Sequence, residues 1–438
     1  MVRTVPVADP GDLADHLPGT GALAWIHHGD GLIGWGEAAR LTLPAGQDRF
    51  TAAEKWLRAL LDGARVTDQV GLPGCGPVAF GSFTFDATSD GSILVLPQAV
   101  LGRRDGRAWL STVTGGAARQ PGPGPAGLTA PAGLALPARG AAPAGPARTA
   151  PAPATPGEIR WHDGSLTAPQ WQRAVGAAVA RIRAGGLRKV VLARDLHASA
   201  PAPIDQRVLL GRLAARYPDC YTFACGGLAG ATPELLIKRQ GRQISSLVLA
   251  GTAPRSNDPG QDAALGAALL ASAKDAEEHE YAAAGVRESL APLCGQLTVA
   301  SRPALLRLAN VQHLATAVSG RLSARGHDGT GRASTVPSVL ALANALHPTA
   351  AVCGTPTEAA MELIRELEGM DRGRYAGPVG WVDSAGNGEW GIALRCAELD
   401  GARARLFAGC GIVADSDPAA ELAEAQTKFR PMQFALES

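Results

Sequence analysis

The sequence predicts an α+β protein in which antiparallel β-sheets carry helices over their faces. Three observations lead there. Two turn signals near the C-terminus, Ser384 to Gly388 and Asp400-Gly401, separate apolar runs and read as hairpins, the second with the residues a type I′ turn prefers. Residues 22–35 and 78–85 are hairpin-like runs in the first third of the chain. Beyond Trp161 segments of helical and of strand character alternate, and the hairpins among them mean antiparallel pairing.

Taken in order, the first helix is expected over 52–61. His27 and His28, beside a Gly-Asp-Gly turn, read as turn neighbours rather than metal ligands. Past Trp161 the pattern predicts a helix over 170–184, a strand over 189–197, a helix over 203–215 and a β-rich stretch to Leu249. A helix over 271–290, a strand over 311–322, helices over 336–345 and 357–368 and a β-meander follow. The last element is a helix that starts at Pro418, with Asp417 as its cap and proline at the first helical position.

Composition divides the chain into a β-rich region over 1–115, a Pro/Ala/Gly-rich stretch over 116–157 and a larger region over 158–438. The middle stretch has too little apolar surface to fix its backbone and reads as a flexible loop. With 41 basic and 40 acidic residues and no basic block, nucleic acid and membrane surfaces gain no support as partners. Seven scattered cysteines without a CxxC spacing read as reduced, mostly buried thiols. Residues 1–17 lack the basic start and apolar core of a signal peptide, and no run of 18 apolar residues occurs, so a soluble cytoplasmic protein is expected.

The chemistry gathers near the C-terminus. Ala408-Gly-Cys-Gly-Ile-Val-Ala-Asp-Ser-Asp-Pro418 is an apolar strand that ends on glycines and leads into the terminal helix. There Glu421, Glu424 and Lys428 fall within about 60° of one another at 100° per residue, beside an apolar stripe of Leu422, Ala425 and Phe429. Paired carboxylates without histidine or cysteine suit Mg2+ better than zinc. Read alone, this helix favours a solvated face with a Glu424–Lys428 pair, and the case for a metal has to come from elsewhere in the chain. A second acidic helix carries Lys274-Asp-Ala-Glu-Glu-His279, with Asp275 and Glu278 on one face. Its His-Glu pair lacks the second histidine of a zinc-protease helix, since position 283 is Ala283.

Two G-x-G-x-x-A signatures, at Gly19 and Gly409, open no βαβ unit, so no dinucleotide cofactor is expected. The Gly409 amide, near the start of the terminal helix, is better placed to bind a substrate carboxylate. Lys189 opens an apolar strand, where it is either a base tuned by burial or an edge-strand gatekeeper. Glu234 follows a proline in an apolar run, where desolvation would keep it protonated and fit to act as an acid, although taken alone it reads as a solvated strand end. Glu389, in a hairpin, carries no assigned role.

From about Gln170 to Met432 these segments, in order, resemble the chorismate-utilising enzymes, and most closely the isochorismate synthases. The matching motifs run through Lys-Val-Val-Leu-Ala-Arg194, Gly-Ala-Thr-Pro-Glu234, Leu-Ala-Gly-Thr252, Lys-Asp-Ala-Glu-Glu-His279 and Val-Gln-His-Leu314. They continue through Leu-His-Pro-Thr349, Val-Cys-Gly-Thr-Pro356, Asp-Arg-Gly-Arg-Tyr-Ala-Gly377, Leu-Arg-Cys-Ala397 and the terminal motif. Gly-Leu-Ile-Gly-Trp-Gly-Glu37 and Ala-Phe-Gly-Ser-Phe-Thr-Phe-Asp86 extend the resemblance to the N-terminal region with less specific motifs.

The resemblance implies large antiparallel sheets packed as a sandwich with helices outside, and a Mg2+-dependent reaction in which water adds at carbon 2 of chorismate as hydroxide leaves carbon 4. Lys189 then matches the general base and Glu234 the general acid. Glu278, Glu421, Glu424 and Asp275 match the metal-binding carboxylates. Tyr375, Arg395, the Gly409 amide and Lys428 match groups on the enolpyruvyl carboxylate, while His313, Gly251, Thr252 and Ala351 belong to the substrate pocket.

Salicylate synthases, which share the base and metal ligands and go on to eliminate pyruvate, have threonine where this chain has Ala351, so isochorismate is expected to leave intact. Enzymes that use ammonia need a glutamine amidotransferase; none is expected here, and a monomer is the default. Ala350, Ala425 and Gly186 depart from residues common in the family, and none of them removes an expected ligand, acid or base. Menaquinone, catechol siderophores and salicylate all begin from isochorismate, and the sequence does not choose among them.

Overall fold

The computed structural model describes residues 1–19, 21–114, 155–323 and 336–437. The stretch expected to be a flexible loop therefore lies, except for residues 155–157, outside the described residues. Strands β1 (Val2–Val7), β2 (Leu23–His27), β3 (Asp30–Trp35) and β4 (Ala39–Leu43) precede helix α1 (Arg49–Leu61). Then come β5 (Val66–Asp68), β6 (Val78–Ser82), β7 (Ser92–Leu96), β8 (Ala99–Arg104) and β9 (Arg107–Val113).

The second part begins with β10 (Arg160–Asp163), α2 (Ala168–Arg183), β11 (Lys189–Ser199), α3 (Gln206–Arg216), β12 (Tyr221–Cys225), β13 (Leu228–Thr232), β14 (Leu235–Gln240) and β15 (Gln243–Pro254). Helices α4 (Pro259–Ala271) and α5 (Ala273–Leu290) lead to β16 (Cys294–Val299), β17 (Ala304–Arg307) and β18 (Val311–Leu322). The chain closes with α6 (Val339–Leu346), β19 (Gly354–Thr355), α7 (Thr357–Leu367), β20 (Pro378–Asp383), β21 (Gly388–Ile392), β22 (Cys396–Asp400), β23 (Arg403–Ile412) and α8 (Pro418–Glu437).

Among the described residues the strands form two sheets. The first runs β10-β11-β23-β22-β13-β12-β2-β3-β8-β9-β1-β5, with β19 on β11, and the second runs β16-β18-β15-β14-β21-β20-β6-β7-β4, with β17 on β18. In each sheet the strands of residues 1–114 form one block and those of residues 155–412 the other, meeting at β12–β2 in the first sheet and at β20–β6 in the second. Pairing is antiparallel throughout except for β1 with β5. Buried aromatic side chains, among them Trp25, Phe80, Phe223, Trp381 and Trp390, fill the common core.

Local signals explain the helix ends. Asp417 Oδ2 accepts the Ala420 N–H at 2.8 Å and so starts α8 as expected, while a capping box of Thr167 and Gln170 starts α2. Ser338 and Asp205 cap α6 and α3, and both helices begin about three residues later than their periodicity suggested. Helix α4 was not expected, although Asp258 and Pro259 are a cap and first-turn proline. Ser272 then ends α4 and caps α5 through the Asp275 N–H.

Three other expectations need correction. Residues 78–85 are no hairpin in themselves; they hold one strand, β6, paired with β7 and β20. In the β22–β23 turn Asp400 belongs to the ladder opposite Arg403, so Gly401 and Ala402 are central, and of these only Gly401 has a positive φ, +56°. Those signs match a type II′ turn rather than type I′, because the register and not the Asp-Gly pair sets the turn. Glu389 is a brace between the sheets: it accepts from Trp25 Nε1 at 3.0 Å and binds Arg104 at 3.1 Å and Lys238 at 3.0 Å. All seven cysteines are free, six of them buried.

Candidate active site

One cavity collects almost the whole predicted set. Glu234 reaches it from the crossing between β13 and β14, which lie in different sheets. Gly251 and Thr252 come from a bulge in the β15–β18 ladder, with Gly251 at φ +73°, and His313 comes from β18 opposite that bulge. Asp275 and Glu278 project from the first turns of α5, and Glu421, Glu424 and Lys428 from α8. Ala351, Tyr375, Arg395 and Gly409 complete the lining from loops and the end of β23. Lys189 alone stands behind the wall; its side chain is wholly buried, and its Nζ lies 2.9 Å from Glu278 Oε1, off hydrogen-bonding geometry.

Burial sorts these groups by charge. It pushes the Glu234 carboxyl up to about 8, against the opposing pull of Lys189, Arg395 and Lys428, so the acid holds its proton at neutral pH. Burial likewise drives His313 down to about 3, with Arg395 and Lys428 adding to the effect, so its ring is neutral. The His313 Nδ1 faces Gly251 O at 3.2 Å and Thr252 Oγ1 at 3.1 Å, which leaves a buried Nε2 without a partner among the described residues. Burial raises the Tyr375 phenol well above its usual value, keeping it a hydrogen-bond donor, and the ring stacks on Phe407 at 4.9 Å.

Lys428 is the fixed cation. Burial works against its charge, but Glu424 at 2.6 Å holds the ammonium above its ordinary value, and Nζ also donates to Gly409 O at 2.8 Å. Arg395 is buried and makes no ion pair among the described residues. Gly409 lies opposite Ala193, whose N–H goes to Glu368 and whose C=O accepts from Trp171. The Gly409 backbone groups therefore point away from β11. Protonated Glu234, neutral His313, Lys428 and Arg395 thus face one space that suits an anionic, hydroxyl-bearing ligand.

At the other end the carboxylates crowd. Oxygens of Glu421 and Glu424 and the Cys410 Sγ lie within 4.8 Å of one another. Burial and the nearby carboxylates push the Cys410 thiol well above its ordinary value, and it donates to Glu421 O at 3.2 Å. It is thus no thiolate ligand, and the available donors are hard oxygens. Burial, then Glu424, raises the Glu421 carboxyl, and burial also raises Asp275. Each of the three glutamates leans on one lysine: Glu278 on Lys189, Glu421 on Lys274 at 3.1 Å and Glu424 on Lys428. With Asp275 the site holds four carboxyl groups against three lysines, an oxygen-rich set that fits a hard divalent cation.

Several contributors escaped sequence reasoning. Gly411 reserves space, since a Cβ there would overlap the Glu278 carboxylate and come within 3.0 Å of Lys189 Cε. Glu368 and Arg372 form a buried pair that holds the open edge of β11: Glu368 accepts from the Ala193 N–H at 2.7 Å, while Arg372 donates to Val191 O and Val352 O, each at 2.8 Å. The i,i+4 spacing of that pair was the available signal. Lys274 opens the Lys274-Asp-Ala-Glu-Glu-His279 motif, but nothing local marked Glu421 as its partner.

Comparisons with known proteins identify the family and the fold. Residues 25–437 match the profile of the family described as Chorismate binding enzyme. The isochorismate synthase DhbC of Bacillus subtilis (strain 168) is 44% identical over 279 residues, 61% of this chain and 67% of that one. Among solved structures, DhbC from Bacillus anthracis aligns with a TM-score of 0.76 at 29% identity, over 97% of this chain and 98% of that one. MenF, the menaquinone-specific isochorismate synthase of Escherichia coli, aligns with a TM-score of 0.73 over 100% of this chain and 94% of that one; at 24% identity it shows the fold alone.

Proposed function

We propose that this chain, which belongs to the chorismate-binding enzyme family, is an isochorismate synthase that interconverts chorismate and isochorismate. The observation that carries the reading is Glu234, a carboxyl held protonated near neutrality in a cavity whose opposite groups are cationic. Water adds at ring carbon 2 and hydroxide leaves carbon 4. Lys189 takes the proton of the attacking water, Glu234 gives its proton to the departing hydroxide, and the second water formed balances the first.

Arg395, Lys428, Tyr375 and the Gly409 amide bind the enolpyruvyl carboxylate. His313, held by the Gly251–Thr252 bulge, offers a neutral acceptor to a ring hydroxyl. Glu278, Glu421 and Glu424, with Asp275 beside them, would hold Mg2+, which when bound supplies charge and orientation for the ring carboxylate. Lys189 acts from behind the cavity wall, with its Nζ 2.9 Å from Glu278 Oε1. The attacking group is water, and no ammonia-supplying subunit is required.

Chorismate and Mg2+ should give a reversible mixture of chorismate and isochorismate with little pyruvate, followed by chromatography, and excess EDTA should stop the reaction until Mg2+ is restored. Full turnover in EDTA would remove the metal role. Stoichiometric salicylate and pyruvate would replace the reading with a salicylate synthase.

A further inference from the structure

The three glutamate–lysine contacts at the acidic end are not equivalent. Lys189 and Lys428 are buried and carry roles in the proposed reaction, whereas the Lys274 side chain is 42% exposed and has none. Its Nζ donates to Glu421 Oε1 at 3.1 Å, and the Glu421 side chain is 4% exposed with Ser416 Oγ as its other side-chain partner. Lys274 also sits in the first turn of α5, where the helix dipole disfavours a positive charge. Its place is set by the carboxylates it faces, because Glu278 and Glu424 act on it as well as Glu421.

Resting on the metal role proposed above, we propose that Lys274 is a tethered stand-in for the divalent cation: its ammonium neutralises Glu421 in the metal-free enzyme and must swing off before the metal binds, so that it sets metal affinity. Carboxylates within 4.8 Å of one another repel unless cations lie near them; Lys428 serves Glu424, and Lys274 supplies that charge at the buried Glu421. A half-exposed lysine suits that task, since its head regains water when it leaves, while the buried Lys189 and Lys428 would have to be dragged out of their contacts. Lys274 is accordingly a positioning residue, acting on Glu421 rather than on substrate.

Metal binding without chorismate tests this directly. Mg2+ titrated by calorimetry and Mn2+ followed by electron paramagnetic resonance should bind Lys274→Met and Lys274→Gln on the order of 3- to 10-fold more tightly than the wild type. Lys274→Arg, which keeps the charge, should stay near wild-type affinity. Lys274→Gln retains a donor for Glu421 and guards against a variant that fails to fold; both neutral variants should melt lower than wild type in EDTA and recover with metal. Equal or weaker binding by the neutral variants would overturn the inference. A folded wild-type protein that binds neither ion would overturn the metal role itself, a different result from binding that Lys274 does not affect.

Discussion

Glu234 illustrates how one residue type acquires a function from its surroundings. An unfolded glutamate ionises near pH 4.3, whereas burial holds the folded carboxyl up to about 8, so between these values the folded protein binds one proton more than the unfolded chain. Stability from this group is therefore full below the unfolded value, falls as pH rises through the window and levels off above about 8. Glu234→Gln should remove that slope and be more stable than wild type at pH 8.5 by on the order of a few kcal/mol, with little difference at pH 4, as read by urea melts. Catalysis should follow the same proton. For the wild type kcat/KM should decline above pH about 8, and Glu234→Ala should lower kcat on the order of 100-fold. An unchanged rate would end its assignment as the acid.

At the scale of elements, β11 depends on something other than a neighbouring strand. Its outer edge pairs with β19 at Lys189 and Val190 and with β10 at Leu196 to Ser199, and between them Glu368 and Arg372 take the place of a strand. The same guanidinium reaches Val352 O, beside Ala351, so the base strand and a pocket loop share one support. Both side chains are almost wholly buried, at 2% and 1% exposure. Breaking such a pair leaves an uncompensated charge inside. Arg372→Met should therefore cost about 3–5 kcal/mol of unfolding free energy, whereas Arg372→Met with Glu368→Leu should recover part of that loss. Denaturant melts of the single and double variants measure it, and a single variant as stable as wild type would show that the clamp is dispensable.

For the whole molecule, one strand junction in each sheet ties the two parts of the chain into common sheets. Strands β2 and β12 are neighbours in the first sheet and β6 and β20 in the second, so neither part has closed edges by itself. Residues 1–114 and 155–438, made separately, should lack cooperative melting, and made together they should assemble into one complex with native circular dichroism. A fragment 155–438 that folds and binds metal unaided would refute this. Among the described residues no helix is long and apolar enough to cross a membrane.

The sequence by itself determined the antiparallel α+β character, most helices to within about three residues and most of the acidic, basic and histidine groups of the cavity, because caps, periodicity and the ordered motifs are written within a few residues of one another. Tertiary structure decided what those residues touch. Lys189 meets Glu278, Lys274 meets Glu421 across 147 positions, and Trp25 meets Glu389 across 364, none of which leaves a trace in local spacing. Gly411 is needed for the volume of a distant carboxylate rather than for its own turn, and the Asp400-Gly401 turn took its type from the strand register. Proton affinity followed the same rule: Glu234 and Glu424 are one residue type, yet burial lifts the first to about 8, while burial at the second is outweighed by Lys428, which holds it below its usual range. Local chemistry names the groups, and only the packed molecule sets the dielectric and the partners that decide their charge.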